Sequence, residues 1–243
     1  MEITSLNNDK IKELIKLSER KERKKTNTFL VEGEHLVQEA YKKGLLKELI
    51  LLKEIDFKMD VPITYVTREI INKITNLTNS PNIIGVCSYP EKNELIGNKY
   101  LLLDNIQDPG NLGTIIRSAK AFNVDTIVIS KDSVDPYNPK VLRATEGIIF
   151  HINIVVDNLE EVIDKLKKNN IPVYGTKVTD GDTTYNIKQE DKYALIMGNE
   201  GQGVKESLLS LCDKYLYIPM NKEVESLNVG VATSIILYEL NKE

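Results

Sequence analysis

The chain has 243 residues, of which 41% are hydrophobic and 28% charged, and its formal net charge is −4. This composition is typical of a water-soluble globular protein with one large domain or two modest ones. The two cysteines, Cys87 and Cys212, lack metal-ligand spacing, which argues against a disulfide framework or a zinc site and fits a protein of the reducing cytoplasm. No apolar run approaches about 18 residues, so we expect neither a membrane span nor a signal peptide.

The first half of the chain alternates between helical and extended patterns. Apolar residues at helical spacing predict a helix over residues 10–17, and a charged, mostly basic run follows at 18–25. Another helix is expected at 34–43, where Gly44 ends it. Strands are expected at 29–31, 45–52, 63–66 and 83–87. This alternation predicts a small α/β domain over residues 1–90.

The second half repeats the alternation after a polar stretch that contains Pro90. This stretch predicts a linker at residues 91–98. Residues 99–243 then predict a mostly parallel sheet with helices on both faces. The predicted helices lie at 111–122, 158–168 and 227–241. The predicted strands lie at 100–104, 125–130, 152–156, 171–176, 192–197 and 215–218.

Polar or glycine-rich segments follow three of these strands, at residues 105–119, 198–204 and 225–232. Ligands bind α/β sheets at the carboxyl ends of their strands, so the three segments predict a ligand crevice. The order of glycines in the second segment is not the dinucleotide-binding fingerprint, and the Walker A pattern is absent. Dehydrogenases and ATPases are therefore disfavoured.

The three segments carry a specific combination of motifs. They read Asn105-x-x-Asp108-x-x-Asn111-x-Gly113-x-x-x-Arg117-Ser118-Ala119, then Met197-Gly198-Asn199-Glu200-Gly201-x-Gly203, then Ile218-Pro219-Met220 with Ser226-Leu227-Asn228-Val229. In order and spacing they resemble the three motifs of the SpoU (TrmH) family of RNA 2′-O-ribose methyltransferases, which belongs to the SPOUT class. The basic run and the stretch 29–34 resemble, more loosely, that family's substrate-binding domain, which is similar to ribosomal protein L30e.

The resemblance implies a fold that composition does not show. Residues 99–243 would form an α/β SPOUT domain with a deep C-terminal trefoil knot over roughly 192–240, and residues 1–90 a small L30e-like α/β domain. Members of the family form homodimers through the knotted domain. The predicted C-terminal helix is apolar enough to serve both the core and such a contact, through Val229, Val231, Ile235, Ile236 and Leu240.

The resemblance also implies the roles of individual residues. S-adenosylmethionine would be held largely through backbone groups of Gly198, Ile218 and Leu227. Met220 and Gly203 would lie close by, and Thr176 would line the same pocket. The polar catalytic cluster would comprise Asn111, Arg117, Glu200, Ser226 and Asn228, and no metal is implied.

Arg117 is the position that the family assigns to a general base. A guanidinium is effectively always protonated, so it is poorly suited to act as a general base. Binding the RNA phosphate and polarising the 2′-hydroxyl is a role that needs no deprotonation of Arg117. Structural explanations remain open for the other polar residues. Asn111 could be only a helix cap, Glu200 could brace the glycine loop, and Ser226 and Asn228 could merely start the last helix.

Basic residues suggest where RNA would bind. A charged run is usually a solvated surface, but in this family context we interpret five residues of the run as RNA-backbone contacts: Arg20, Lys21, Arg23, Lys24 and Lys25. Residues 141–147 depart from the Ala-Ser-Met/Ala-Gly stretch that is frequent there in the family, because Glu146 adds a negative charge. Lys140 and Arg143 would balance this charge, and Arg143 is also predicted to contact RNA.

These implications point to a cytoplasmic, homodimeric RNA 2′-O-methyltransferase that depends on S-adenosylmethionine. Large-subunit (23S) ribosomal RNA is favoured as substrate, because tRNA-acting relatives are often built from the knotted domain with short extensions. Three alternatives stay open. They are a tRNA ribose methyltransferase, a non-catalytic RNA-binding or ribosome-assembly factor that retains the fold, and an antibiotic-resistance methyltransferase that acts on ribosomal RNA.

Overall fold

The chain divides into two compact units in a computed structural model, which describes residues 2–75, 77, 79–91, 94–187 and 189–242. One unit contains Met1–Glu91 and Asp135–Phe150, and the other contains Lys92–Val134 and His151–Glu243. The first unit is thus discontinuous in sequence, whereas the sequence predicted a single boundary at 91–98. Lys92 and Asn93 of that predicted linker lie outside the described residues.

Helices and strands alternate along the described residues much as the sequence predicts. The helices are α1 (Asp9–Lys16), α2 (Arg20–Thr26), α3 (Glu34–Lys42), α4 (Arg68–Thr75), α5 (Pro109–Ala121), α6 (Pro139–Ala144), α7 (Leu159–Lys168), α8 (Glu206–Leu209) and α9 (Val229–Asn241). The strands are β1 (Glu2–Ile3), β2 (Thr28–Glu32), β3 (Leu46–Leu52), β4 (Ile63–Val66), β5 (Ile83–Ser88), β6 (Lys99–Leu103), β7 (Thr126–Ser130), β8 (Asn153–Asp157), β9 (Val173–Thr176), β10 (Asp182–Thr183), β11 (Tyr193–Met197) and β12 (Lys214–Tyr217).

The first unit is built on a mixed sheet with the strand order β1-β4-β3-β5-β2. Strand β5 pairs antiparallel with both β2 and β3, while β4 pairs parallel with β3 and β1. The amphipathic helices α1 and α4 bury their apolar faces together on this sheet, with Ile11, Leu14, Ile70 and Ile71 in one core cluster. This apolar patterning is what fixes the helices on the sheet.

Residues 135–150 belong to the first unit because their apolar and aromatic side chains pack there. Helix α6 begins after Asn138, whose side chain accepts a hydrogen bond from the Lys140 amide, and it contacts β2. The ring of Phe29 on β2 lies 4.8 Å from that of Tyr137 and 6.4 Å from that of Phe150, measured between centroids. Close aromatic contacts of this kind add to the stability that burial alone supplies.

Within the described residues, the second unit contains a seven-stranded sheet with the strand order β10-β12-β9-β11-β6-β7-β8. Each neighbouring pair of strands in it is parallel, which confirms the mostly parallel sheet that the sequence predicts. Because the strands are parallel, the segments that follow β6, β9, β11 and β12 leave from one edge of the sheet. The trefoil knot stays a prediction. None of the helices in the described ranges could cross a lipid bilayer.

Candidate active site at the carboxyl edge of the parallel sheet

Helix α5 starts earlier than predicted, and its start decides what Asn111 does. The Asp108 carboxylate accepts a hydrogen bond from the Asn111 backbone N–H at 2.8 Å, and Pro109 occupies the first turn. Asp108 is therefore the N-cap, and the interpretation of Asn111 as the cap is wrong. Asn111 lies inside the first turn instead, so its side-chain amide is available for other partners.

That amide joins all three motif segments. Asn111 Nδ2 donates to Glu200 Oε1 at 3.0 Å, and Asn111 Oδ1 accepts from Asn228 Nδ2 at 2.8 Å. Asn228 also caps α9, because its Oδ1 accepts from the Gly230 N–H at 2.9 Å. The capping role expected as an alternative for Asn228 is thus real and coexists with a place in the network.

Glu200 gathers donors from the segment that follows β6. Its carboxylate accepts hydrogen bonds from the Asp108 N–H at 3.1 Å and the Gln107 N–H at 3.3 Å, in addition to the Asn111 amide. Burial favours a higher pKa, but the hydrogen bonds from Asn111 and the backbone outweigh it and hold the pKa of Glu200 below its usual value. The side chain is therefore an ionised acceptor that braces two loops against each other.

The glycine loop after β11 is organised by Asn199, which the sequence analysis did not single out as a site residue. Its Oδ1 accepts from the backbone N–H groups of Gly201 at 2.9 Å and Gln202 at 3.1 Å. Its Nδ2 donates to the Asn105 carbonyl at 2.8 Å. An asparagine among glycines is itself the signal for such a role, because its short side chain bonds nearby backbone groups.

Gly198 is required by close backbone packing. A Cβ atom at Gly198 would lie 2.1 Å from both the Gly203 carbonyl carbon and the Val204 nitrogen. The loop also closes on itself, since Asn199 and Gly203 exchange backbone hydrogen bonds of 3.0 and 2.9 Å. Gly203 has a φ of +70°, a conformation that favours glycine. The glycines thus let the loop fold into a tight, backbone-lined wall.

This wall bounds a cavity of about 470 Å³. Its volume lies in the range of small-molecule and cofactor sites, roughly 300–1,000 Å³. The structure brings all six residues that were predicted to bind the cofactor to its lining, namely Gly198, Ile218, Leu227, Met220, Gly203 and Thr176. Glu200 and Ser226 line it as well, so the polar network adjoins the cavity.

Arg117 and Ser226 are not part of the polar network. Both are exposed, and within the described ranges neither side chain makes a hydrogen bond or an ion pair. Arg117 lies on α5 beside the contact with α9, where Ser118 and Ser234 share a hydrogen bond of 2.7 Å. Three of the five predicted catalytic residues therefore meet directly, a fourth lines the cavity, and Arg117 stands on the helix surface.

Comparison with known proteins identifies this arrangement. Residues 98–238 match the SpoU rRNA Methylase family, which is more than half of the chain. The chain belongs to the SpoU rRNA methylase family. The family resemblance expected from the three motifs is thereby confirmed. Residues 8–85 of this SpoU protein also match the MRM3-like substrate binding domain.

Three proteins resemble this SpoU protein over nearly their whole length. It is 41% identical to the 23S rRNA (guanosine(2553)-2′-O)-methyltransferase RlmP of Bacillus subtilis, over 98% of each chain. The crystal structure of an AdoMet-bound rRNA methyltransferase from Sinorhizobium meliloti superposes with a TM-score of 0.88 at 29% identity, covering 99% of this chain and 97% of that one. An RNA 2′-O ribose methyltransferase structure gives a TM-score of 0.84 at 27% identity, covering 99% and 98%.

The basic run of this SpoU protein divides into buried and exposed residues. Arg23 is only 1% exposed, and its guanidinium pairs with Asp135 at 2.6 Å, so the prediction that it contacts RNA is wrong. It also donates to the backbone carbonyls of Leu17 at 2.9 Å and Ser18 at 2.8 Å. A side chain that is fully paired and buried cannot reach a phosphate.

The other predicted RNA contacts of the SpoU protein are at least partly exposed. Lys21, Lys24 and Lys25 are exposed on α2, and Arg20 is half-buried. Arg143 on α6 is half-buried and donates to Glu32 at 2.7 Å. The exposed lysines are thus the residues of this set that are most accessible to RNA phosphates.

Proposed function

We propose that this SpoU protein transfers a methyl group from S-adenosylmethionine to a ribose 2′-oxygen of RNA. The observation that carries the proposal is the hydrogen-bonded chain Glu200–Asn111–Asn228, which ties the three motif segments together beside the cavity. Such a network fixes side-chain amides in one orientation, and orientation is the main demand of an in-line displacement.

The cavity fits the proposed cofactor. Backbone groups at Gly198, Ile218 and Leu227 line it, and Met220 supplies apolar surface. The close packing of Gly198 against Gly203 and Val204, which a Cβ atom would block, holds the loop in the tight form that lines the cavity. When bound, S-adenosylmethionine supplies an electrophilic methyl group on a sulfonium centre.

We assign separate roles in the reaction to the polar and charged residues of the three motif segments. Because its pKa is held low, Glu200 is a weak base, and we assign it the role of fixing the Asn111 amide. Asn228 holds the other end of that amide. Arg117 is permanently charged, and its side chain makes no hydrogen bond or ion pair in the described ranges. It is therefore suited to binding an RNA phosphate and to stabilising negative charge that develops on the 2′-oxygen.

The proposed substrate is 23S ribosomal RNA, at the guanosine that corresponds to position 2553 in the name of the Bacillus subtilis relative. The support is identity of 41% over 98% of both chains, which includes the substrate-binding domain as well as the methylase domain. The relative comes from a bacterium, where ribosomal RNA lies in the cytoplasm, and we propose the same location for this protein. A tRNA substrate and a non-catalytic assembly role are the alternatives that experiment must separate.

We also propose that the protein acts as a homodimer. Helix α9 carries an apolar stripe at helical spacing, formed by Val231, Ile235 and Tyr238, and two of these side chains are strongly exposed at 47% for Val231 and 54% for Tyr238. Exposed apolar stripes on a helix that also serves the core are typical of an interface between subunits.

The test is methyl transfer from labelled S-adenosylmethionine to 23S ribosomal RNA and to tRNA, both purified from cells that lack the gene. We expect 2′-O-methylguanosine in 23S ribosomal RNA, detected by nucleoside mass spectrometry. Arg117→Ala should abolish the transfer, whereas Lys120→Ala, which removes an exposed cation on the same helix, should keep it. Label found only in tRNA would refute 23S ribosomal RNA as the substrate. If no methyl group is transferred and no S-adenosylmethionine is bound, the non-catalytic assembly factor is favoured.

A further inference from the structure

Glu146 is an unexpected residue for the place it occupies. It follows α6 with a φ of +49°, and Gly147 after it has a φ of +79°. Glycine and asparagine are the usual residues in the left-handed conformation, and a negative charge near a helix C-terminus is unfavourable. Local stability therefore does not explain a glutamate here, and residues that break local rules concentrate at functional sites.

The turn that carries Glu146 is held firmly within the first unit. Its backbone carbonyl accepts a hydrogen bond from His35 Nε2 on α3 at 3.1 Å. A Cβ atom at Gly147 would lie 3.0 Å from Glu39 Cγ, so the turn packs closely on α3. The backbone is thus fixed on both sides of Glu146, while its side chain is exposed.

Two cations of the same unit, Arg143 and Lys42, are paired with other carboxylates. Arg143, three residues earlier, pairs with Glu32 at 2.7 Å, and Lys42 on α3 pairs with Glu39 at 2.6 Å. Across the part of the chain that the structure describes, no hydrogen bond or ion pair involves the Glu146 carboxylate. This charge is therefore presented to solvent on a rigid turn, with both oxygens available to a ligand.

The chemistry of a carboxylate limits what that ligand can be in an RNA-binding unit. It repels phosphates, so it contributes to RNA binding by accepting hydrogen bonds from ribose 2′-hydroxyls or from bases. Guanine alone presents two adjacent donors, N1–H and N2–H, on the edge that single-stranded recognition reads. We infer that Glu146 binds an unpaired guanine of the substrate RNA through these two donors. The inference rests on the proposed function, because it takes RNA as the substrate.

A cycle of paired protein and RNA changes tests this contact. The protein change is Glu146→Gln, which keeps the size but replaces one acceptor by a donor. The RNA is the shortest 23S fragment that the wild-type protein methylates or binds, with each guanosine replaced in turn by inosine, which lacks the N2 amine. Both KM for methyl transfer and Kd for binding are measured, so that the test does not depend on catalysis.

We expect one inosine position to weaken wild-type binding by about ten-fold, with KM rising and kcat unchanged. The same inosine should cost Glu146→Gln nothing further. Glu13→Gln, which removes an exposed carboxylate of α1 in the same unit, should respond like the wild type. Additive effects at all positions, or the same loss of response in Glu13→Gln, would overturn the contact. If the RNA is methylated but no inosine position is coupled to Glu146→Gln, the guanine contact is refuted and the proposed function stands. If the RNA binds with this coupling but is not methylated, the proposed function is refuted and the contact stands.

Discussion

Replacing Arg23 by alanine should destabilise the protein although Arg23 belongs to a run of basic residues. The guanidinium is 1% exposed and donates to Asp135 through both Nη2 at 2.6 Å and Nε at 3.2 Å. It also satisfies the carbonyls of Leu17 and Ser18 after α1. One side chain thus joins three separate segments of the first unit, namely the end of α1, α2 and the start of 135–150.

The magnitude follows from what the substitution leaves behind. Asp135 is 7% exposed, and without Arg23 its carboxylate would keep only the Tyr137 N–H, at 3.1 Å, among the partners found in the described residues. Removing one member of a buried ion pair costs about 3–5 kcal/mol, because the other charge stays desolvated. For a unit of this size that corresponds to a fall in melting temperature of roughly 10 °C or more.

Thermal unfolding followed by circular dichroism measures this effect, with Lys24→Ala as the matched control. Lys24 is the next residue of α2, carries the same charge and is exposed, so its loss should leave the melting temperature within about 1–2 °C. The effect on RNA binding should be the reverse, since Lys24→Ala changes RNA binding although it leaves the melting temperature nearly unchanged. Lys24→Ala should lower the salt dependence of RNA affinity by about one unit of slope.

A combined variant separates charge from packing. Arg23→Met with Asp135→Leu removes both charges and should recover much of the stability, since apolar replacements of a buried pair are often neutral. The reasoning would be refuted if Arg23→Ala melted like the wild type and lost salt dependence as Lys24→Ala does. Arg23 would then behave as an exposed RNA contact after all.

Three further results are expected. Gly198→Ala should abolish S-adenosylmethionine binding in titration calorimetry because its Cβ would lie 2.1 Å from backbone atoms, whereas Gly201→Ala should bind normally, since the nearest atom would be 3.7 Å away. The folded-state pKa of Glu200 is lowered, so its contribution to stability is present at neutral pH and is lost as the pH falls below the usual carboxyl range. Melting curves at neutral and acidic pH should therefore show a steeper loss for the wild type than for Glu200→Gln. Val231→Asp should give monomers in light scattering, while Val156→Asp, at a residue that is also exposed, should leave the oligomeric state unchanged.

The sequence predicted most elements of the second unit because hydrophobic patterning is strong there. Continuous apolar runs such as residues 193–197 are typical of strands buried on both faces of a parallel sheet, and the predicted bounds differ from the observed ones by only a few residues. Helix α2 was read only as a charged run. Its inward position is taken by Arg23, so it lacks the apolar periodicity that reveals a surface helix.

The candidate site was predictable as a set of residues but not as a set of contacts. Asp108 and Asn111 are both good caps by type, and only the observed hydrogen bond decides that Asp108 fills the role and leaves Asn111 to the network. Asn199 was quoted within a motif, yet its bracing of the glycine loop depends on backbone geometry that spacing does not encode. Arg117 shows the converse, because its predicted importance rests on chemistry with RNA rather than on any contact within the chain.

The buried pair between Arg23 and Asp135 also bears on where the chain can be divided. A fragment that ends in the predicted linker at 91–98 would contain Arg23 but not Asp135, which lies inside the matched methylase region of 98–238. Such a fragment would leave a buried guanidinium without its carboxylate, and would expose the face of β2 on which α6 packs. We expect residues 1–90 alone to be unfolded or strongly destabilised, as amide exchange by NMR would show. Adding residues 135–150 as a separate peptide should restore protected amides in β2 only if Asp135 is present, because the peptide with Asp135→Asn lacks the charge that Arg23 requires.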